Sequence, residues 1–377
     1  MLGEYGTRLS IAWTRQHTDS DLAGPLRSDG LDVLMTQPLL RGAGREVTTA
    51  PLRLARLSEQ ANRLQLEMSV AQTMINVIIR YRELLRAQER RFIAEQALQR
   101  AMALLRVNKA LIAAGRMAEI ETVQTDADIA NQQLALEDAR NQVQINQLAL
   151  LRLLALDLTS DIRASEVLEV AQVVVDKREA LIRAEQRQPE YRIAIINSQQ
   201  SDLNLVLAKD QARWDVSLVG GANQLSKRRK QATGGSGRQW NGYVGVQVEI
   251  PIGDLATRQA EVHALVEVDS QSLLLADARQ ALELDVNDAV RDLSFRWRQY
   301  ELALRANGLS KQKLLIEQEK LNAGRSSNFQ VLSFEADLRS AENALLDAKI
   351  TYLNAQTRFN HSVGMTLESW EVTLNDI

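Results

Sequence analysis

Few residues in this sequence are arranged for chemistry. Its histidines, His17, His263 and His361, are scattered and lack the spacing of metal ligands. There is no cysteine, which excludes disulfides, thiolate metal sites and a cysteine nucleophile. No nucleophile–base constellation and no Gly-x-Ser-x-Gly elbow is present, so the sequence offers no enzyme site, no metal site and no cofactor. "RGAGREV" (Arg41 to Val47) carries a GxG that superficially suggests a dinucleotide loop. Its third glycine is missing, with Val47 in that place, and no parallel strand follows within reach, so the corner of a strand-to-helix passage is the better reading. "KRRK" (Lys227 to Lys230) stands alone beside a Gly/Ser stretch and reads as a solvated loop. With a net charge of −3 there is no electrostatic reason to expect nucleic acid.

The elements around these residues are more informative. The 377 residues are 45% hydrophobic and only 4% aromatic, with Ala, Leu, Gln, Arg and Glu prominent, a composition suited to long helices and coiled coils. No apolar run reaches the roughly 18 residues of a membrane-spanning helix. "MLGEYGTRLS" shows no basic start followed by an apolar stretch, so no signal peptide is visible. Glycine and proline crowd into residues 1–51 and again into 220–253. "TRLSIAWTRQ" places Leu9, Ile11 and Trp13 on alternate positions, and "LDVLMTQPLL" follows a polar loop with Gly24, Pro25 and Gly30. "WDVSLVGGANQL" and "WNGYVGVQVEIPI" flank the long loop "KRRKQATGGSGRQ", the latter strand alternating through Val244, Val246, Val248 and Ile250. These are two hairpins, each left through a proline, Pro38 or Pro251, and each followed by a long helical stretch. From Pro51 to Ala113 alone the helix runs about 63 residues, roughly 95 Å.

Gly115 is the only glycine between Gly44 and Gly220. A lone glycine suits the left-handed residue just past a helix end, so the helix stops there and reverses. "AAGRMAEIETVQTDADIANQQLALEDAR" (Ala113 to Arg140) aligns without a gap on "NAGRSSNFQVLSFEADLRSAENALLDAK" (Asn322 to Lys349), matching Gly115 to Gly324, Arg116 to Arg325 and Asp128 to Asp337. The plan of hairpin, long helix, glycine turn and return helix therefore occurs twice. The return helices carry seven-residue apolar rows: Phe334, Ala341, Ala348 and Ala355, then Leu338, Leu345, Tyr352 and Phe359, with Ile129, Leu136, Val143 and Leu150 in the earlier copy.

The expected first repeat is 1–158, with a β-hairpin at about 5–40, a long helix at about 45–113, a tip turn at 114–118 and a return helix at about 119–156. A connecting belt follows at 159–188. The second repeat, 189–377, has a helix at about 189–211, a β-hairpin at about 213–252, a long helix at about 255–322, a tip turn at 323–327, a return helix at about 328–362 and a C-terminal segment.

This order, with the glycine turns, "EADLRSAENALLDAKITYLNAQTRF" and the closing "VGMTL" (Val363 to Leu367), resembles the TolC-like outer-membrane efflux family over nearly the whole chain. The resemblance implies a mainly α fold with β: long antiparallel coiled-coil hairpins, plus β-hairpins that three copies close into one outer-membrane β-barrel above a periplasmic α-barrel. It implies a homotrimer in outer-membrane lipid that meets a periplasmic adaptor and, indirectly, an inner-membrane pump. The function implied is the passive exit duct of a tripartite efflux or type I secretion system. The tip residues Gly115, Arg116, Gly324 and Arg325 are the expected adaptor-docking set. Glu121, six residues past Gly115, with Gln330 and Ser333 in the second repeat, is expected at the pore constriction, where three copies of Glu121 would ring the axis. In this reading "KRRK" faces outside the cell, within reach of anionic headgroups. Members of the family begin with a signal sequence, and the second repeat has a helix before its strands that the first lacks. The chain is therefore expected to be N-terminally truncated. A periplasmic adaptor is the first rival, but it normally carries one helical hairpin between lipoyl-like β segments. A structural coiled coil, the second, has no use for Gly-rich strand pairs at matched positions.

Overall fold

In a computed structural model, residues 1–19, 26–166, 169–229, 237–250 and 252–372 are described. The chain runs through β1 (Arg8–Thr18), β2 (Leu26–Pro38), α1 (Arg45–Ala113), α2 (Glu121–Leu153), α3 (Lys177–Arg187), α4 (Pro189–Gln211), β3 (Asp215–Arg229), β4 (Gly237–Glu249), α5 (Leu255–Asn322), α6 (Asn328–Ser362) and α7 (Thr366–Ser369). It divides into two compact units, Met1–Gln65 with Glu190–Arg279, and Leu66–Pro189 with Gln280–Ile377.

The first unit holds one antiparallel sheet in the order β1-β2-β3-β4. Its faces follow the period of two. Leu9, Ile11 and Trp13 oppose Met35, Val33 and Leu31, while Leu218 opposes Val246 and Val216 opposes Val248, which puts these apolar side chains on one face. Ser10, Thr14 and Gln16, with Asp32, Ser217, Asn223, Asn241 and Gln247, fall on the other. Apolar residues on the first face lie open to solvent, Ile11 at 67% and Val244 at 82% exposure.

Two expectations are corrected here. Lys227 and Arg228 do not belong to a loop: β3 continues to Arg229, with Lys227 opposite both Ser28 and Gly237. Gly30 likewise sits inside β2 and not in the preceding loop. A side chain there would come within 2.8 Å of the Thr14 hydroxyl, so the strand needs its smallest residue at a close approach. Gly24, Pro25, Lys230 and Pro251, named in the sequence reading, lie outside the described residues.

Below the strands, the GxG corner is built around a carboxylate. Asp210, fully buried at the end of α4, accepts the amide N–H of Gly42 at 2.8 Å, and Arg41 pairs with Asp215 at 2.7 Å. Gly42 and Gly44 both hold positive φ, which permits the reversal. The Gly42 amide of this corner thus bonds to a side-chain carboxyl of its own chain.

In the second unit the core is a set of side-chain layers. Leu84, Leu85 and Ala87 pack with Val143, Leu150 and Ala164. Leu104 packs with Leu314, Leu321, Val331 and Leu338. Leu293 packs with Tyr352 and Ala355. The seven-residue rows supply many of these residues: Leu136, Val143 and Leu150 are buried, as are Leu338 and Tyr352. No helix among the described residues is long and apolar enough to cross a membrane.

Candidate functional site

Two helix reversals stand at the end of the second unit. Ala113 closes α1, and Gly115 follows with φ 70°. The Gly115 amide donates to Ile112 O at 2.9 Å and the Arg116 amide to Leu111 O at 2.8 Å. Gly324 repeats this with φ 72°, its amide donating to Leu321 O at 2.9 Å and that of Arg325 to Lys320 O at 2.8 Å. Both are Schellman closures, in which the left-handed residue lets two successive amides satisfy carbonyls the helix leaves open. Gly115, Arg116, Gly324 and Arg325 are all exposed. The structure brings two of them together: the Arg116 guanidinium lies over Gly324, where an added Cβ would come within 2.9 Å of Arg116 Nη2.

Just above the reversals lies a polar cluster that the sequence reading did not find. Asn108, Thr125 and Asn328 are completely buried. The Asn108 side-chain amide donates to Thr125 Oγ1 and to Asn328 Oδ1, both at 2.8 Å. Asn328 Nδ2 donates to the Glu121 carbonyl at 3.2 Å. α1, the start of α2 and the start of α6 are thereby tied at one point. In the second repeat the residue seven positions before the glycine is Glu317, as Asn108 is seven before Gly115. Glu317 is also buried, accepting from Ser326 Oγ at 2.6 Å and from Lys320 Nζ at 3.0 Å. The Ser326 hydroxyl, and after it the Lys320 ammonium, hold its carboxyl below the ordinary glutamate range. A polar residue at matched positions on an otherwise apolar seam is the signal that marks this pair in the sequence.

Of the expected constriction residues, Glu121 begins α2 and is half-buried, its carbonyl engaged by Asn328. Gln330 is half-buried in the first turn of α6, where its amide donates to the N-cap hydroxyl of Ser327. Ser333 lies three residues further on, also half-buried.

Further along the unit, Arg100 spans two carboxylates, Glu335 at 2.8 Å and Glu342 at 3.3 Å. Burial lifts the Glu335 carboxyl above its ordinary range, with the Arg100 hydrogen bond and charge opposing. Lys313 sits 3.6 Å from the Phe334 ring centre and pairs with Asp337. The belt expected at 159–188 is fastened by Tyr352, whose hydroxyl donates to Ala171 O at 2.9 Å and accepts from the Val173 amide at 3.0 Å. The "VGMTL" glycine, Gly364, also makes a Schellman closure, at φ 74°, its own amide bonded to His361 O and the Met365 amide to Asn360 O. An added Cβ at Gly364 would come within 2.7 Å of the Arg187 backbone, so this turn seats directly on the end of α3. His17 lies in β1, His263 in α5 and His361 in the last turn of α6.

No protein-family model matches the sequence, and no curated protein matches it. Solved structures match its fold. The outer-membrane channel OprN aligns with a TM-score of 0.73 at 17% identity, over 96% of this chain and 82% of that one. The CmeC outer membrane channel of Campylobacter jejuni aligns at 0.72 and 16%, over 98% and 81%. The MtrE outer membrane channel of Neisseria gonorrhoeae, solved in an open state, aligns at 0.71 and 18%, over 97% and 82%. At these identities what is shared is the fold, and the resemblance to TolC-like proteins read from the sequence holds in three dimensions.

Proposed function

We propose that this chain forms the outer-membrane exit duct of a tripartite efflux or type I secretion system. Three copies would join their four-stranded sheets into one barrel in outer-membrane lipid and their helices into a periplasmic tunnel. The observation that carries this reading is the sheet of the first unit. It gathers Ile11, Trp13, Val33, Leu218, Val246 and Val248 on one face, as a lipid-facing wall around a wet lumen requires, and among the described residues no further strand pairs with the outer side of β4 or, past the Met1 contact at Leu9, of β1. An open sheet cannot enter lipid, whereas a closed one can. The helices agree with assembly. α5 leaves Leu273 at 72% and Leu302 at 67% exposure, and α2 leaves Leu134 at 64%. Leucines repeated along so long a helix call for further packing partners.

In this role the chain is not an enzyme and transport through it is passive. Gly115, Arg116, Gly324 and Arg325 are the proposed adaptor contact. Glu121, Gln330 and Ser333 are the proposed narrowest passage, and opening would move the tip helices apart. The test is Gly324→Pro. Proline fixes φ near −65°, incompatible with the observed +72°, so adaptor-dependent export is expected to be lost while the protein still reaches the outer membrane. Unchanged export would remove the tip assignment.

A further inference from the structure

The outer strands β1 and β4 are exposed along their whole length. Proteins usually blunt such edges with lysine, proline or a bulge. Here the ladders run without a bulge, and one edge carries Leu9, Ile11 and Trp13 and the other Val244, Val246 and Val248, all on the same face. Such edges are built to be paired.

Which backbone groups face outward follows from alternation along antiparallel ladders. The N–H and C=O of Leu9 both bond to Met1, away from β2, so Ile11, Trp13, Arg15 and His17 also point to the open side of β1. The Leu39 amide donates to Val216 O, so Val216 faces β2, and Asp215 and Ser217 face β4. In β4 the residues opposite those two, Glu249 and Gln247, are turned inward to β3. Val248, Val246 and Val244 are therefore turned outward.

The internal repeat supplies the register. The first hairpin ladder opens at Arg8↔Thr36 and the second at Asp215↔Glu249, offsets of 207 residues from β1 to β3 and 213 from β2 to β4. Sequence agrees on both counts. "LSIA" (Leu9 to Ala12) matches "VSLV" (Val216 to Val219) at 207, and Pro38 matches Pro251 at 213. Within one chain the two hairpins meet through β2 and β3, where Gln37 opposes Leu218, Met35 opposes Gly220, Val33 opposes Ala222 and Leu31 opposes Gln224. The same joint carried forward by these offsets lies between β4 of one copy and β1 of the next.

We infer that β4 pairs antiparallel with β1 of a second copy of this chain in one register, Ile250 opposite Ile11, Val248 opposite Trp13, Val246 opposite Arg15 and Val244 opposite His17. Every one of these joins an outward group to an outward group and an apolar-face residue to its own face. Leu9 is held by Met1, and the register begins at Ile11, the next outward residue. The contact is head-to-tail, so it propagates until a ring closes. This inference rests on the channel reading and adds to it the residue pairs of the seam.

The chain has no cysteine, so introduced pairs report without background. Thr14 and Gln247 oppose each other in this register on the polar, water-accessible face. The double variant Thr14→Cys, Gln247→Cys, in outer membranes, is expected to give oxidant-dependent, reductant-reversible covalent oligomers. Facing residues lie within disulfide reach and those two positions further along do not, so the yield should be about tenfold above Thr14→Cys with Gly245→Cys or with Glu249→Cys. Ala12→Cys with Glu249→Cys is the independent second pair. A maximum at any other partner position overturns the register and leaves the channel reading standing. No crosslink at any position, from protein that fractionates with the outer membrane, overturns both.

Discussion

Asn108 and Asn328, 220 residues apart in sequence, share a 2.8 Å hydrogen bond between fully buried side chains. Removing one partner strands the others, because Thr125 and the Glu121 carbonyl depend on the same cluster. Asn328→Ala is expected to cost about 1–3 kcal/mol, the usual penalty for leaving a buried polar group unsatisfied. Native-state hydrogen exchange should show the loss near residues 105–128. Unchanged protection there would mean the cluster does not bind α6 to α1 and α2.

Three glycines at positive φ separate backbone strain from crowding. Gly115→Ala meets no atom within 4 Å and bears only the left-handed conformation, about 1–2 kcal/mol. At Gly324 the near atom is the far end of the Arg116 side chain, which can move aside, so a similar cost is expected. Gly364→Ala drives a methyl into the Arg187 backbone and should destabilise clearly more than either. Thermal unfolding of the three variants ranks them, and equal shifts would contradict the packing assigned to the "VGMTL" turn.

Two carboxylates give stability slopes of opposite sign. Burial raises Glu335, so its contribution is fully present below the unfolded value of about 4.3 and is lost as pH rises through the folded one. Glu317 is depressed by Ser326 and Lys320, so its contribution is present above the unfolded value and lost as pH falls through the folded one. Glu335→Gln should flatten the decline on the alkaline side of its titration. Ser326→Ala should move the acid loss to higher pH. Denaturant midpoints measured across pH read both, and unchanged profiles would refute the two environments.

Tyr352→Phe keeps the ring against Trp297, 5.2 Å away, and deletes only the hydroxyl. Ala171 O and the Val173 amide then lose a partner, an effect of about 1–3 kcal/mol. Limited proteolysis near residues 170–175 should accelerate severalfold while the helices stay intact. An unaltered cleavage rate would mean the belt is held elsewhere.

Much of the architecture was legible because it is written in local rules. Period-two runs such as Leu9, Ile11 and Trp13 made strands, and the sparse glycines Gly115 and Gly324 ended helices through the left-handed conformation only glycine adopts freely. Seven-residue rows placed Leu136, Val143 and Tyr352 in the core. What escaped depends on partners distant in sequence. Asp210 reads as an ordinary helical acid until the Gly42 amide is placed on it. Asn108 reads as a poor helix residue until Asn328 is brought beside it. The length of β3 was missed because Lys227 and Arg228 have the composition of a loop, while strand pairing with β2 and β4 overrides that preference.

The central claim, that copies of this chain must join to complete a pipe, is tested most directly by mass. Light scattering of the detergent-solubilised protein, with detergent subtracted, is expected to give three times the 42.2 kDa of the chain, and the particle should conduct ions when placed in a lipid bilayer. A single 42.2 kDa species, stable in water without detergent and silent in the bilayer, would contradict it.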